Sequence, residues 1–175
     1  PLDIIKIWEG GMSFHGALLG VILGTYLFAV KKNIPTFFLL DIIACVSPIG
    51  IFLGRIAIFI NGELTGKTTN MFWGVIFPKI DNLPRHPSQL YEAFLEGLIL
   101  FFVLILIFFN KNYKIGTSSY MFLILYGFFR IFSEFFREPD AQVGYLFNSV
   151  SIGMVLSAFM MLAGIIIFLN KRNDD

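Results

Sequence analysis

Two arginines lie inside runs apolar enough to cross a membrane: Arg55 in FLGRIAIFING and Arg130 in YGFFRIFSEFFREPD. A guanidinium keeps its proton, and placing it at the centre of a membrane helix costs roughly 2.5–3.5 kcal/mol on insertion scales. Such a residue implies a partner, and the partner whose shape matches its fork of donors is a phosphate or a carboxylate. Tyr126, Arg130 and Glu134 are spaced i, i+4, i+8 and share a helix face. Two readings stand for that face. In one, Arg130 and Glu134 only neutralise each other for insertion; in the other, Glu134 and Tyr126 hold Arg130 while its free edge meets a phosphate.

Other polar residues gather around these two. Gly54-Arg55, Asn61-Gly62-Glu63 and Gly66 form a glycine-punctuated exit from an apolar run. Glycine permits close backbone approach to a ligand, and Gly50 and Gly54 equally suit close helix packing. Arg85-His86-Pro87-Ser88-Gln89-Leu90-Tyr91-Glu92 reads as a loop entering a helix, with Pro87 suited to its first turn. Gln89, Glu92 and Glu96 then fall on one face, and Glu96 lies about 12 Å below the start at 1.5 Å per residue. It needs an intramembrane partner, by interhelical hydrogen bonding or in a site. His15, in GGMSFHG, is the leading candidate for a general base because an ordinary imidazole titrates near pH 6.5. His86 is its rival, and either one is equally readable as a plain interfacial histidine. Cys45 has no basic neighbour and reads as a buried, inert thiol.

The elements that position these groups follow from composition. Apolar residues form 57% of the chain and charged residues 14%, against about 25% charge in an ordinary soluble domain. The sequence is that of an all-α, polytopic membrane protein, taken as a single transmembrane domain over residues 1–175. A net charge of +1 leaves no basic surface for nucleic acid. A single cysteine excludes an internal disulfide, and no metal-site motif or cofactor signature occurs. Five spans are expected at about 12–30, 37–60, 88–109, 119–136 and 148–169. Lys31-Lys32, Lys111 with Lys114, and Lys171-Arg172 then share one side. The positive-inside rule makes that side cytoplasmic, with the C-terminus there. His15, Arg55, Asn61, Glu63, His86, Gln89, Glu92, Arg130 and Glu134 all fall toward the outer leaflet. Trp8 and Trp73 suit the aromatic belt on that side.

Four motifs, GGMSFHG, GRIAIFINGELTG, RHPSQLYE and YGFFRIFSEFFREPD, resemble in order and spacing those of the bacterial prolipoprotein diacylglyceryl transferases. The resemblance runs from about Ile7 to the last span. It implies a multi-pass enzyme of the bacterial inner membrane with seven helices, of which this chain carries five and would lack the first two, in keeping with its start at Pro1 without Met. It also implies transfer of the diacylglyceryl group of phosphatidylglycerol to the lipobox cysteine of a prolipoprotein signal peptide, leaving a thioether and releasing glycerol phosphate. No cofactor is implied. By the same resemblance His15 is the base for the incoming thiol, and Arg55 and Arg130 bind the phosphate. Asn61, Glu63, Gly66, His86, Tyr126 and Glu134 support the substrate. One position departs from the family pattern G-R-x-x-N-F-x-N-G-E: Ile58 stands where its first Asn belongs. Losing a buried amide leaves its partners unpaired at roughly 1–3 kcal/mol. The alternative expectation is therefore an impaired relative that binds phosphatidylglycerol or prolipoprotein without turnover.

Overall fold

The computed structural model describes residues 14–138, 145–146 and 150–173. Five long helices carry the chain: α1 (Phe14–Lys32), α2 (Thr36–Asn61), α3 (Ser88–Phe108), α4 (Thr117–Glu134) and α5 (Ile152–Asn173). They coincide with the five apolar runs. The fifth starts later than its run because Val150–Ser151 is extended, pairing as β4 with β3 (Tyr145–Leu146). Three of the helices, Thr36–Asn61, Ser88–Phe108 and Ile152–Lys171, are long and apolar enough to span a bilayer.

The bundle has little core for its size. Ala44 and Cys45 of α2, Leu100 and Leu104 of α3, Phe122 and Tyr126 of α4 and Met160 of α5 meet at its centre. Leu19, Leu53, Phe102, Leu106 and Phe159 are exposed on the flanks. That much open apolar surface is stable against lipid tails rather than water.

Two ends are distinct. At one, the Lys171 ammonium donates to the Ile115 carbonyl at 2.5 Å and sits 4.3 Å from the centre of the Phe37 ring. The three basic sites are thus gathered at the same end of the bundle. Here Asp41 of α2, fully buried, accepts from the Gly116 and Ser119 amides, the Ser119 hydroxyl and the Tyr113 phenol. A carboxylate on one helix thereby caps the N-terminus of another, where free amides and the helix dipole favour negative charge. Burial, and then the carboxylate, push the Tyr113 phenol above its ordinary pKa.

The other end carries an arm, residues 62–87. α2 stops at Gly62 (φ +71°), whose neighbour Glu63 returns its amide to the Ile58 carbonyl at 3.1 Å. The arm folds through β1 (Val75–Ile76) against β2 (Pro84–Arg85). Its stretch 65–68 runs between β2 and the residues following α4. The Gly66 amide donates to the His86 carbonyl at 3.0 Å, the Lys67 amide to the Phe136 carbonyl at 2.9 Å, and the Glu138 amide to the Thr65 carbonyl at 3.3 Å. The arm is pinned across the mouth of α2, α3 and α4.

Candidate functional site

Beneath the arm, α3 departs from α-helical winding. Residues Ala93–Ile99 form a π-helical stretch containing Glu96 and Gly97. Such bulges recur at functional sites because they re-aim side chains. Gly97 is set so close to α2 that a Cβ there would stand 2.6 Å from the Phe52 Cβ and 2.8 Å from its Cα. Three residues beyond Phe52 comes Arg55, and the close crossing brings it to α3.

The result is a buried cluster of three arginines and three glutamates. Arg55 of α2 meets Glu92 at 2.9 Å and Glu96 at 3.4 Å. Arg130 of α4 meets Glu92 at 2.5 Å and Glu96 at 3.7 Å, and its other terminal nitrogen rests on Glu134. Arg137, just past α4, lies 3.5 Å from Glu134 and 4.0 Å from Glu92. Ser151 donates to the far oxygen of Glu134 at 3.0 Å while accepting the Met154 amide at 3.1 Å, so the start of α5 is tied in as well.

Formal charge in this cluster cancels, as burial in an apolar bundle demands. Hydrogen bonding does not close so well. Glu96 and Gln89 are fully buried, and each keeps one oxygen without a donor among the described residues. Gln89 spends its amide nitrogen on the Glu63 carbonyl at 2.6 Å. The Arg55 side chain retains 16% exposure, the most open of the cluster. An arrangement with excess acceptors inside, a partly open guanidinium and nearby positive groups is equipped to take an anionic group with hydroxyls.

The sequence-predicted residues divide into groups. Arg55, Arg130 and Glu134 come together, with Tyr126 buried one turn below Arg130. Arg130 differs from its expected state: both terminal nitrogens rest on carboxylates, leaving neither edge free. Three carboxylates enter because three guanidinium groups are buried together. His86 lies in the arm above, its ring 5.3 Å from Phe136 and its Nδ1 3.1 Å from the Tyr91 hydroxyl, to which Trp73 also donates at 2.8 Å. Gly66 sits at the strand crossing, where a Cβ would strike the His86 carbonyl and stand 2.7 Å from that of Phe136. Asn61 and Glu63 are exposed at the end of α2, and the Asn61 carbonyl accepts from Lys79 at 3.0 Å. The His15 side chain lies outside the described residues, as does Trp8. Cys45 is in the core, remote from these groups, with its thiol directed to the Leu104 carbonyl at 3.7 Å. Gly50 and Gly54 have open space where a Cβ would point, so close helix packing does not account for them among the described residues.

Sequence reasoning passed over Arg137 and kept Glu92 only as a face neighbour of Glu96. The signal for Glu92 was present: it stands three residues from Gln89 and four from Glu96, on a face too polar for lipid. Arg137 gave none, since it falls where a span ends and reads as an ordinary interfacial charge.

Fold and centre define an integral membrane protein with a buried arginine–carboxylate site near one end of its bundle. The family model described as prolipoprotein diacylglyceryl transferase matches residues 1–170. A Rickettsia felis protein named phosphatidylglycerol–prolipoprotein diacylglyceryl transferase is 56% identical over 166 residues, 94% of this chain and 64% of its own length. One of the same name from a Wolbachia of Brugia malayi is 51% identical over 177 residues, 99% of this chain and 67% of its own. The chain belongs to the prolipoprotein diacylglyceryl transferase family. It spans about two thirds of the length of these relatives, 64–67%.

Proposed function

We propose that this chain carries the phosphate-binding centre of a transferase in the bacterial inner membrane. It moves the diacylglyceryl group of phosphatidylglycerol to the lipobox cysteine of a prolipoprotein signal peptide. The observation that carries this reading is the buried cluster of Arg55, Arg130 and Arg137 against Glu92, Glu96 and Glu134. The names borne by its relatives agree with it. The cluster has cations for a phosphate, and the substrate thiol supplies the nucleophile.

In the reaction the cysteine sulfur attacks the glycerol carbon of the diacylglyceryl group. A carbon–sulfur bond forms, the carbon–oxygen bond to phosphate breaks, and its electron pair leaves with glycerol phosphate. His15 takes the thiol proton, which passes on to the leaving phosphate or to water. Arg55, the more open guanidinium, meets the phosphate, and Arg130 adds its charge from behind. Fixed positive charge in a site closed to water stabilises the departing oxyanion more than it does the resting diester. Asn61, Glu63, Gly66, His86, Tyr126 and Glu134 frame the substrates. The C-terminus lies in the cytoplasm and the site faces the outer leaflet, a placement supported by Lys31-Lys32, Lys111, Lys114 and Lys171-Arg172.

The test is transfer of labelled diacylglycerol from phosphatidylglycerol to a lipobox peptide in lipid nanodiscs. This chain and its Ile58→Asn variant are compared, each assayed alone and with the remaining part of a relative supplied. Transfer by both establishes the activity with Ile58 tolerated. Transfer by the Asn form alone assigns the missing rate to Ile58. No transfer by either, with phosphatidylglycerol still bound, would overturn catalysis in favour of lipid binding.

A further inference from the structure

We infer that Glu92 is a positioning residue whose single carboxylate sets the spacing of Arg55 and Arg130. It is the one carboxylate in the described cluster within 4.0 Å of all three arginines: Arg130 on Oε1 at 2.5 Å, Arg55 on Oε2 at 2.9 Å, and Arg137 at 4.0 Å. Glu96 reaches Arg55 and Arg130 more loosely, at 3.4 and 3.7 Å, and Glu134 reaches Arg130 and Arg137. The Glu92 side chain is 2% exposed, so little water competes for its oxygens from the surface.

Two guanidinium groups on separate helices repel each other, and in an apolar bundle that repulsion is poorly screened. Seating one on each oxygen of a shared carboxylate replaces repulsion with attraction and fixes their separation to the width of that carboxylate. Both helices are then held by a residue of a third, α3, whose own position against α2 is set by the Gly97–Phe52 contact. The spacing of the two cations sets how the charge of Arg130 supports Arg55, the more open guanidinium, where the anion is met. Glu92 touches no reacting atom; it acts through the arginines.

This rests on the transferase reading for the identity of the anion, and the experiment separates the two. Wild type, Glu92→Gln, Arg137→Gln and the double variant are prepared in nanodiscs containing phosphatidylglycerol, each with the remaining part of a relative supplied. Diacylglyceryl transfer is measured alongside phenylglyoxal labelling of Arg55 and Arg130, read by mass spectrometry. In Glu92→Gln the cluster gains net positive charge, so KM for phosphatidylglycerol does not rise, while kcat falls at least tenfold. Arg130, released from Glu92, labels at least fivefold faster. A purely structural role would lower the yield of folded protein and leave the kcat of the surviving enzyme intact.

Where Glu92→Gln fails to fold, the double variant, with charge again balanced, is compared with Arg137→Gln for the same fall in kcat and rise in Arg130 labelling. A kcat within twofold of its reference, with Arg130 labelling unchanged, would overturn the inference. Absence of transfer by wild type would sink the function instead, and labelling alone would then decide the role of Glu92.

Discussion

The two ends of α2 bury charge in opposite ways. Asp41, at one end, has donors from Tyr113, Gly116 and Ser119 on both its oxygens, all from the loop before α4 and its first turn. Arg55, at the other, joins a cluster assembled from α2, α3, α4 and the segment beyond, where Glu96 and Gln89 each keep an oxygen without a hydrogen bond among the described residues. Burial alone does not separate them, since both centres are nearly closed to solvent. Completeness does. A carboxylate with every acceptor site filled has nothing left to offer, whereas a neutral cluster with unbonded acceptors and a partly open arginine has the capacity for another group.

The sharpest way to break this contrast is Arg130→Lys. The ammonium keeps the charge and loses the planar fork that spans Glu92 and Glu134. Activity is expected to fall about 100-fold or more, because the fork that holds Glu92 and Glu134, and through Glu92 the position of Arg55, is lost from a preorganised electrostatic site. Thermal stability in detergent should change far less, because the carboxylates keep a cation. Near-normal turnover by the lysine enzyme would remove Arg130 from the phosphate clamp.

Asp41→Ala should do the reverse. The amides of Gly116 and Ser119 and the Tyr113 hydroxyl lose a buried acceptor, at roughly 1–3 kcal/mol for groups left unpaired. A lower melting temperature with kcat unchanged in the folded fraction is the expected pair of results. A specific loss of kcat would show that the two ends are coupled.

The sequence made one of these centres far more visible than the other. Arg55 and Arg130 stand out because a guanidinium in an apolar run is costly wherever the helix goes. Asp41 follows Pro35 and Thr36 by a few residues and reads as an unremarked acid near a helix start. Its partners lie 72 to 78 residues away, and no periodicity encodes that meeting. The face of Gln89, Glu92 and Glu96 was legible from spacing, but which arginine each one meets was not. The arm was legible only at its two ends, as a glycine-punctuated exit from one span and a loop entering the next. Its pairings are two residues long, too short for the alternation that betrays a strand. Nor did anything but a lone glycine mark the π-helical stretch.

That glycine offers a finer test. Gly97→Ala places a methyl against Phe52 and must push α3 off α2, at about 1–3 kcal/mol for overpacking. Glu96 and Glu92 then withdraw from Arg55, and activity should drop with stability. Gly54→Ala, adjacent to Arg55 but with open space where its Cβ would point, should keep stability within about 0.5 kcal/mol. Equal destabilisation by both would mean that the close crossing is not what holds the cluster together.

The smallest effect belongs to the arm, where the contrast between closed and open polar sites recurs at the surface. Arg85 grips Asp81 through two nitrogens, reaches the Gly66 carbonyl at 3.1 Å and meets Glu138 at 2.9 Å, fastening the arm to the end of α4. The hydrogen bonds from Arg85 hold the Asp81 carboxyl below its ordinary pKa. A carboxyl whose pKa is lower in the folded arm stabilises that fold above its unfolded value, and the contribution fades as pH falls through the depressed one. The arm should therefore stay fastened at neutral pH and loosen only below the ordinary carboxylate range. Trp73, on the same arm, reports it by fluorescence. Asp81→Asn should flatten that acid transition, with only a modest change at neutral pH because the group is open to solvent and screened. A transition of unchanged amplitude in the Asn variant would show that the Asp81–Arg85 pair is not what fastens the arm.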